Sequence, residues 1–115
     1  MTVEECYNAL KGDYSQARAR LHSDNIIKKF MLKFPGQCGY DKLSQAMDEK
    51  DYKEAFVASH TLKGVCMNLS FTMLEKSSSK LTEALRDGYS DEVPGLYAQV
   101  QDDYRQTIEA IDGLQ

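Results

Sequence analysis

The stretch from Asp51 to Leu69, DYKEAFVASHTLKGVCMNL, holds the residues best suited to chemistry, with His60 at its centre. A neutral imidazole is a nucleophile, and histidine as a residue type titrates near physiological pH, so it can accept a phosphoryl group and release it again. In a helix each residue advances ~100° about the axis, which puts Phe56, His60, Lys63, Gly64 and Met67 on one stripe. An ammonium at i+3 can stabilise phosphoryl oxygens through charge-assisted hydrogen bonds. A glycine at i+4 leaves room above the ring for a second protein's active site. Inside a helix a glycine costs about 1 kcal/mol against alanine, so a steric reason for Gly64 is attractive.

Other chemistries lack their residues. No G-x-x-x-x-G-K-[ST] or G-x-G-x-x-G cradle is present, so ATP binding by those routes is not expected, nor is an enzyme that phosphorylates itself. His22 and His60 have neither the H-x-x-x-H nor the H-E-x-x-H spacing of a zinc site. Ser59 beside His60 is no nucleophile–base pair, because adjacent helical residues diverge by ~100° and no third group orients the ring. The chain is therefore read as a carrier without its own ATP site or catalytic metal, and the transfer machinery is expected from a partner.

Composition narrows the partners. A chain of 115 residues with 42% hydrophobic and 28% charged side chains fits one soluble domain, 1–115, with a core of its own. The net charge of −4 and the lack of a Lys/Arg cluster argue against nucleic acid. No apolar run approaches the ~20 residues that span a bilayer, and the N-terminus lacks a signal-peptide shape. Cys6, Cys38 and Cys66, odd in number and widely spaced, fit reduced thiols, so a cytoplasmic monomer is expected.

The elements that must position His60 are all helices. Val3 to Lys11 is expected to form a first short helix ended by Gly12, and Asp13 to cap a second that ends at His22, on solvent. Ser23 precedes a third, with Ile26, Ile27, Phe30, Met31 and Phe34 as its apolar face and Pro35-Gly36 as its stop. Tyr40 to Lys50 makes the fourth. Asp51, with Glu54 three residues on, opens the central helix, whose core stripe is Tyr52, Ala55, Ala58, Ser59, Leu62, Cys66 and Leu69. Ser70 is expected to cap a helix through Leu85, and Ser90 to open the last, with Pro94 in its first turn and Leu96, Tyr97, Val100, Tyr104, Ile108 and Ile111 as its stripe. No segment alternates like a strand. The fold class is all-α: an antiparallel up-down-up-down four-helix bundle of the helices beginning near 40, 51, 70 and 91, with three shorter N-terminal helices over its end.

His60-Thr61-Leu62-Lys63-Gly64, followed by Asn68-Leu69 and preceded by Asp51-Tyr52, resembles the histidine phosphotransfer (HPt) domains of multistep two-component relays. Weaker similarity extends from Gly12-Asp13-Tyr14 through Leu21, Phe30 and Phe34 to the helix between Ser70 and Gly88. The resemblance implies that His60 takes a phosphoryl group from one receiver-domain aspartate and passes it to another, that Lys63 supports the phosphoryl group and that Gly64 gives the partner access. The receivers would belong to a hybrid histidine kinase, a response regulator or both, and would supply the Mg²⁺. Ser70 stands where the family usually has glycine. Thr82 stands where several members carry a glutamine that supports the histidine. Phe56 and Val57 occupy positions often charged in the family, and with Met67 they are expected to form an apolar docking patch for the receiver, the alternative being that Phe56 and Met67 bend into the core. Two other readings fit the same helix: the phosphoacceptor (P1-like) domain of a chemotaxis-type histidine kinase, and a non-catalytic module that binds a receiver without transfer.

Overall fold

Four of the helices start on side chains that the sequence supplies for the purpose. Thr2 and Glu5 form a reciprocal capping box, and Asp13, Ser23 and Asp51 accept from the backbone N–H groups of Gln16, Ile26 and Glu54. The computed structural model describes residues 1–114, and among them every regular element is a helix: α1 Val3–Ala9, α2 Tyr14–Leu21, α3 Asp24–Gln37, α4 Tyr40–Asp48, α5 Tyr52–Leu69, α6 Thr72–Leu85 and α7 Val93–Asp112. The all-α class is as expected. α5 packs between α4 and α6, α6 packs on α7, and α1 and α3 reach α7. The core stripe of α5 is in place, with Ala55, Ala58, Ser59, Leu62, Cys66 and Leu69 buried.

Several boundaries differ from expectation, each for a local reason. α3 does not stop at Phe34. Pro35 lies inside its last turn, where the fixed φ of proline suits a helix and only one N–H is lost, and the chain turns at Gly39, whose φ is +88°. α3 is thus 14 residues long and α4 only nine, so the three N-terminal helices are not all shorter than those that follow. The apolar face of α3 is narrower than expected: Ile27, Met31 and Phe34 are buried, while Ile26 and Phe30 stay exposed. Ser70 does not cap α6. It closes α5 in the left-handed conformation, with φ +58°, Phe71 N–H donating to Cys66 O and Ser70 N–H to Met67 O. That geometry accounts for the glycine more usual at this position. Ser90 does not open α7 either: the helix begins at Val93, and among the described residues the buried Ser90 hydroxyl has no partner.

The N-terminal helices do more than cover an end; they hold the end of α5. The Tyr7 hydroxyl donates to Leu69 O at 2.6 Å, and Asp13 N–H donates to Ser70 O at 2.9 Å. Arg20 donates to the carbonyls of Met67 and Asn68 at 2.6 and 2.9 Å, a cation on the negative end of the helix dipole. Behind these contacts the rings of Tyr7, Phe71 and Phe34 meet edge to face, with centroids 5.6 and 5.0 Å apart.

Candidate functional site

The periodicity of α5 fixes which residues surround His60. With the Ala55–Leu69 stripe turned inward, the opposite face carries His60 into solvent. Phe56, one turn earlier, is half-buried against the core, with its ring centroid 6.3 Å from the imidazole. Lys63 and Gly64, one turn later, are half-buried, and Met67 beyond them is exposed. Among the described residues a Cβ at position 64 would meet no packed neighbour within 4 Å, so tertiary packing does not require a glycine there.

α6 supplies the other wall, and it brings two residues that sequence reasoning did not place. Arg86 lies over the Phe56 ring at 5.4 Å, a cation–π contact. Its guanidinium is clasped by Glu83 through two hydrogen bonds of 2.7 and 3.2 Å. The Arg86 bond, then its charge and in smaller part the charge of Lys63, hold the Glu83 carboxyl below its ordinary range. The Glu83/Arg86 spacing of three was visible in the sequence as an intrahelical pair, but only the packing of α6 on α5 puts it beside Phe56.

Thr82 lies below the site rather than in it. It is buried, its hydroxyl 2.9 Å from Ser59 Oγ and 2.7 Å from Ser78 O, and among the described residues no hydrogen bond reaches the His60 ring. Its hydrogen-bond partner is Ser59, the neighbour of His60, rather than the ring itself. Phe56 is less open than a docking patch requires, because Arg86 and the core cover part of it. Val57 and Met67 are the exposed members, and Val57 turns toward a groove of about 660 Å³ between α5, α4 and the Pro35–Gly39 turn. The site thus groups His60, Phe56, Lys63, Gly64 and Met67 on one face, with Val57 at its flank.

Among the described residues, no group of three or more His, Cys, Asp or Glu side chains could hold a metal ion, and no helix is long and apolar enough to cross a membrane. The three cysteines are buried thiols.

Fold and site define a helical module that presents a histidine to solvent. The family model of the Hpt domain matches residues 40–111, from the start of α4 nearly to the end of α7 and more than half of the chain; the chain belongs to the Hpt domain family. Comparisons with curated proteins and with solved structures give no match. Membership implies histidine phosphotransfer in phosphorelays, where such domains work with receiver domains as phosphocarriers.

Proposed function

We propose that His60 is the phosphoacceptor of a relay between two receiver domains. The observation that carries this reading is the exposed imidazole on α5 with Lys63 on its own face and open space above Gly64. In the forward step an imidazole nitrogen attacks the phosphorus of a receiver's aspartyl phosphate. A P–N bond forms, the P–O bond to the carboxylate breaks, and the carboxylate leaves with the electron pair. Transfer to a second receiver reverses these bonds. Lys63 stabilises the phosphoryl oxygens, Gly64 admits the receiver, and the receiver brings the Mg²⁺. Met67 and Val57, with the uncovered edge of Phe56, form the apolar contact for the receiver, and Thr82 supports the buried side of α5 beneath the site by its bond to Ser59, with no direct part in transfer.

The module is read as a cytoplasmic monomer in which residues 1–115 work as one domain. The short connections after α4 and α5 support an up-down-up-down order for α4 to α7.

The test is incubation with a phosphorylated receiver domain and Mg²⁺. Label on the protein should be acid-labile and alkali-stable and should vanish in His60→Gln; label that persists in that variant refutes the assignment. Lys63→Ala should slow transfer at least tenfold with little loss of stability, since among the described residues the Lys63 ammonium makes no ion pair and alanine is a strong helix former. Unchanged transfer would remove Lys63 from the mechanism.

A further inference from the structure

On the far side of α6 from α5 lies a second cavity, of about 550 Å³, between the first turns of α6, the N-terminal half of α7 and the turn after α1. This size falls within that of small-molecule sites. Three lysines converge on it. Lys76 and Lys80 are one turn apart on α6, a like-charge pair that by itself disfavours the helix. Lys11 arrives from the turn in a left-handed conformation, φ +58°, fixed because its carbonyl accepts from Met73 N–H at the uncapped start of α6. Among the described residues none of the three forms an ion pair. Asp102, whose carboxyl feels the charge of Lys11, is already held by Arg105 and Gln106.

Two further features fit a ligand rather than a bare basic surface. Asp103 lines the cavity and is 97% buried, and among the described residues its carboxylate accepts one hydrogen bond, from Gln99 at 2.9 Å. It offers acceptor capacity to a hydroxyl at the floor of a cleft whose rim is cationic. Gly95, in the first turns of α7, also lines the cleft, and a Cβ there would meet nothing within 4 Å. A helical glycine with no internal steric cause costs about 1 kcal/mol, and its effect here is to open the cavity. Leu96 and Met73 add apolar surface between rim and floor.

We infer that this cleft binds a small phosphorylated polyol, of the sugar-phosphate class. The phosphate lies among Lys11, Lys76 and Lys80, whose ammonium groups donate charge-assisted hydrogen bonds to it. The hydroxyls donate to Asp103 and accept from Gln99, and the carbon skeleton covers Leu96. This site is separate from His60 and does not depend on the relay reading.

The test is an NMR titration of the ¹⁵N-labelled full chain with ribose 5-phosphate and, separately, with inorganic phosphate. Saturable shifts of the amides of 76–80 and 95–99 are expected, with ribose 5-phosphate binding at least about fivefold tighter than phosphate because only it reaches Asp103 and Gln99. Lys76→Glu/Lys80→Glu should weaken both probes at least about tenfold, whereas the control Lys28→Glu/Lys29→Glu on α3 should leave them unchanged. At Gly95 a Cβ meets nothing within 4 Å, so Gly95→Leu should project into the cleft and abolish the sugar-phosphate response while the spectrum stays folded. Absence of saturation by about 10 mM, equal affinity for the two probes, or binding that survives Gly95→Leu would each overturn the inference.

Discussion

At position 64 folding and function pull in opposite directions. A methyl group on Gly64 meets nothing in the chain, so Gly64→Ala should raise stability by up to about 1 kcal/mol through helix propensity alone. Gly64→Gln should leave the fold intact while its side chain fills the space over His60 and slows transfer from a receiver at least tenfold. Urea denaturation beside a phosphotransfer assay reads both effects, and a Gly64→Gln protein that transfers at the wild-type rate would show that the space is not the partner's path. Thr82 gives the converse case. Thr82→Val keeps its shape but removes the hydroxyl shared with Ser59 and Ser78 O, so about 1 kcal/mol of stability should be lost. Transfer should change less than threefold, because the Thr82 contact stops at Ser59. His60, Lys63 and Gly64 were legible because helical spacing alone puts them on one face. The cover of Arg86 over Phe56 was not, since it depends on how α6 lies against α5 and no spacing within α5 encodes that.

The element-scale question is what fixes the end of the site helix. α5 ends on a serine in the left-handed region, and the turn between α1 and α2 is pressed against it. At Gly12 a Cβ would lie 2.7 Å from Ser70 O, 2.8 Å from Leu10 Cδ1 and 2.9 Å from Tyr7 Cδ2. The first of these is a backbone carbonyl that cannot swing aside, so Gly12→Ala should cost about 2 kcal/mol. It should also speed amide exchange at Ser70 and Phe71, whose N–H groups close α5, more than at Leu81 in the middle of α6. Uniform exchange across the three sites would mean that the turn and the helix end are not coupled. The sequence pointed to Gly12 as the stop of α1, yet the left-handed residue is Lys11 and the glycine answers a contact 58 positions away. Pro35 and Ser70 misled in a similar way: proline and serine were read by their commonest local roles, whereas Pro35 fits inside α3 and the chain before Phe71 places Ser70 at a helix end. Helix existence followed from periodicity within each segment; these stops were set between segments.

Across the molecule, burial pushes the core thiols and several phenols in one direction. Burial raises the Cys6 thiol from 9.0 to about 11 and the Tyr40 hydroxyl from 10.0 to about 12, and it raises Cys38, Cys66, Tyr7 and Tyr104 as well. The carboxylates held low, Glu5, Glu83 and Asp102, are at the surface, Glu5 through the Thr2 backbone N–H of its capping box and the other two in exposed ion pairs, which contribute little. Stability should therefore be much more sensitive to alkali than to mild acid. Below pH 9 a thiol keeps its proton in both the folded and the unfolded chain. Above it the unfolded chain releases the proton while the folded core retains it, so each rise in pH favours unfolding until the folded value is passed. Cys6 alone accounts for roughly 2 kcal/mol between pH 9 and 11. The urea midpoint should hold nearly level from pH 6 to 8 and fall steadily above pH 9. Cys6→Ala should start lower, from the small cavity it leaves, but decline less steeply over the alkaline range; a parallel decline would mean that Cys6 does not carry its share of the alkaline loss.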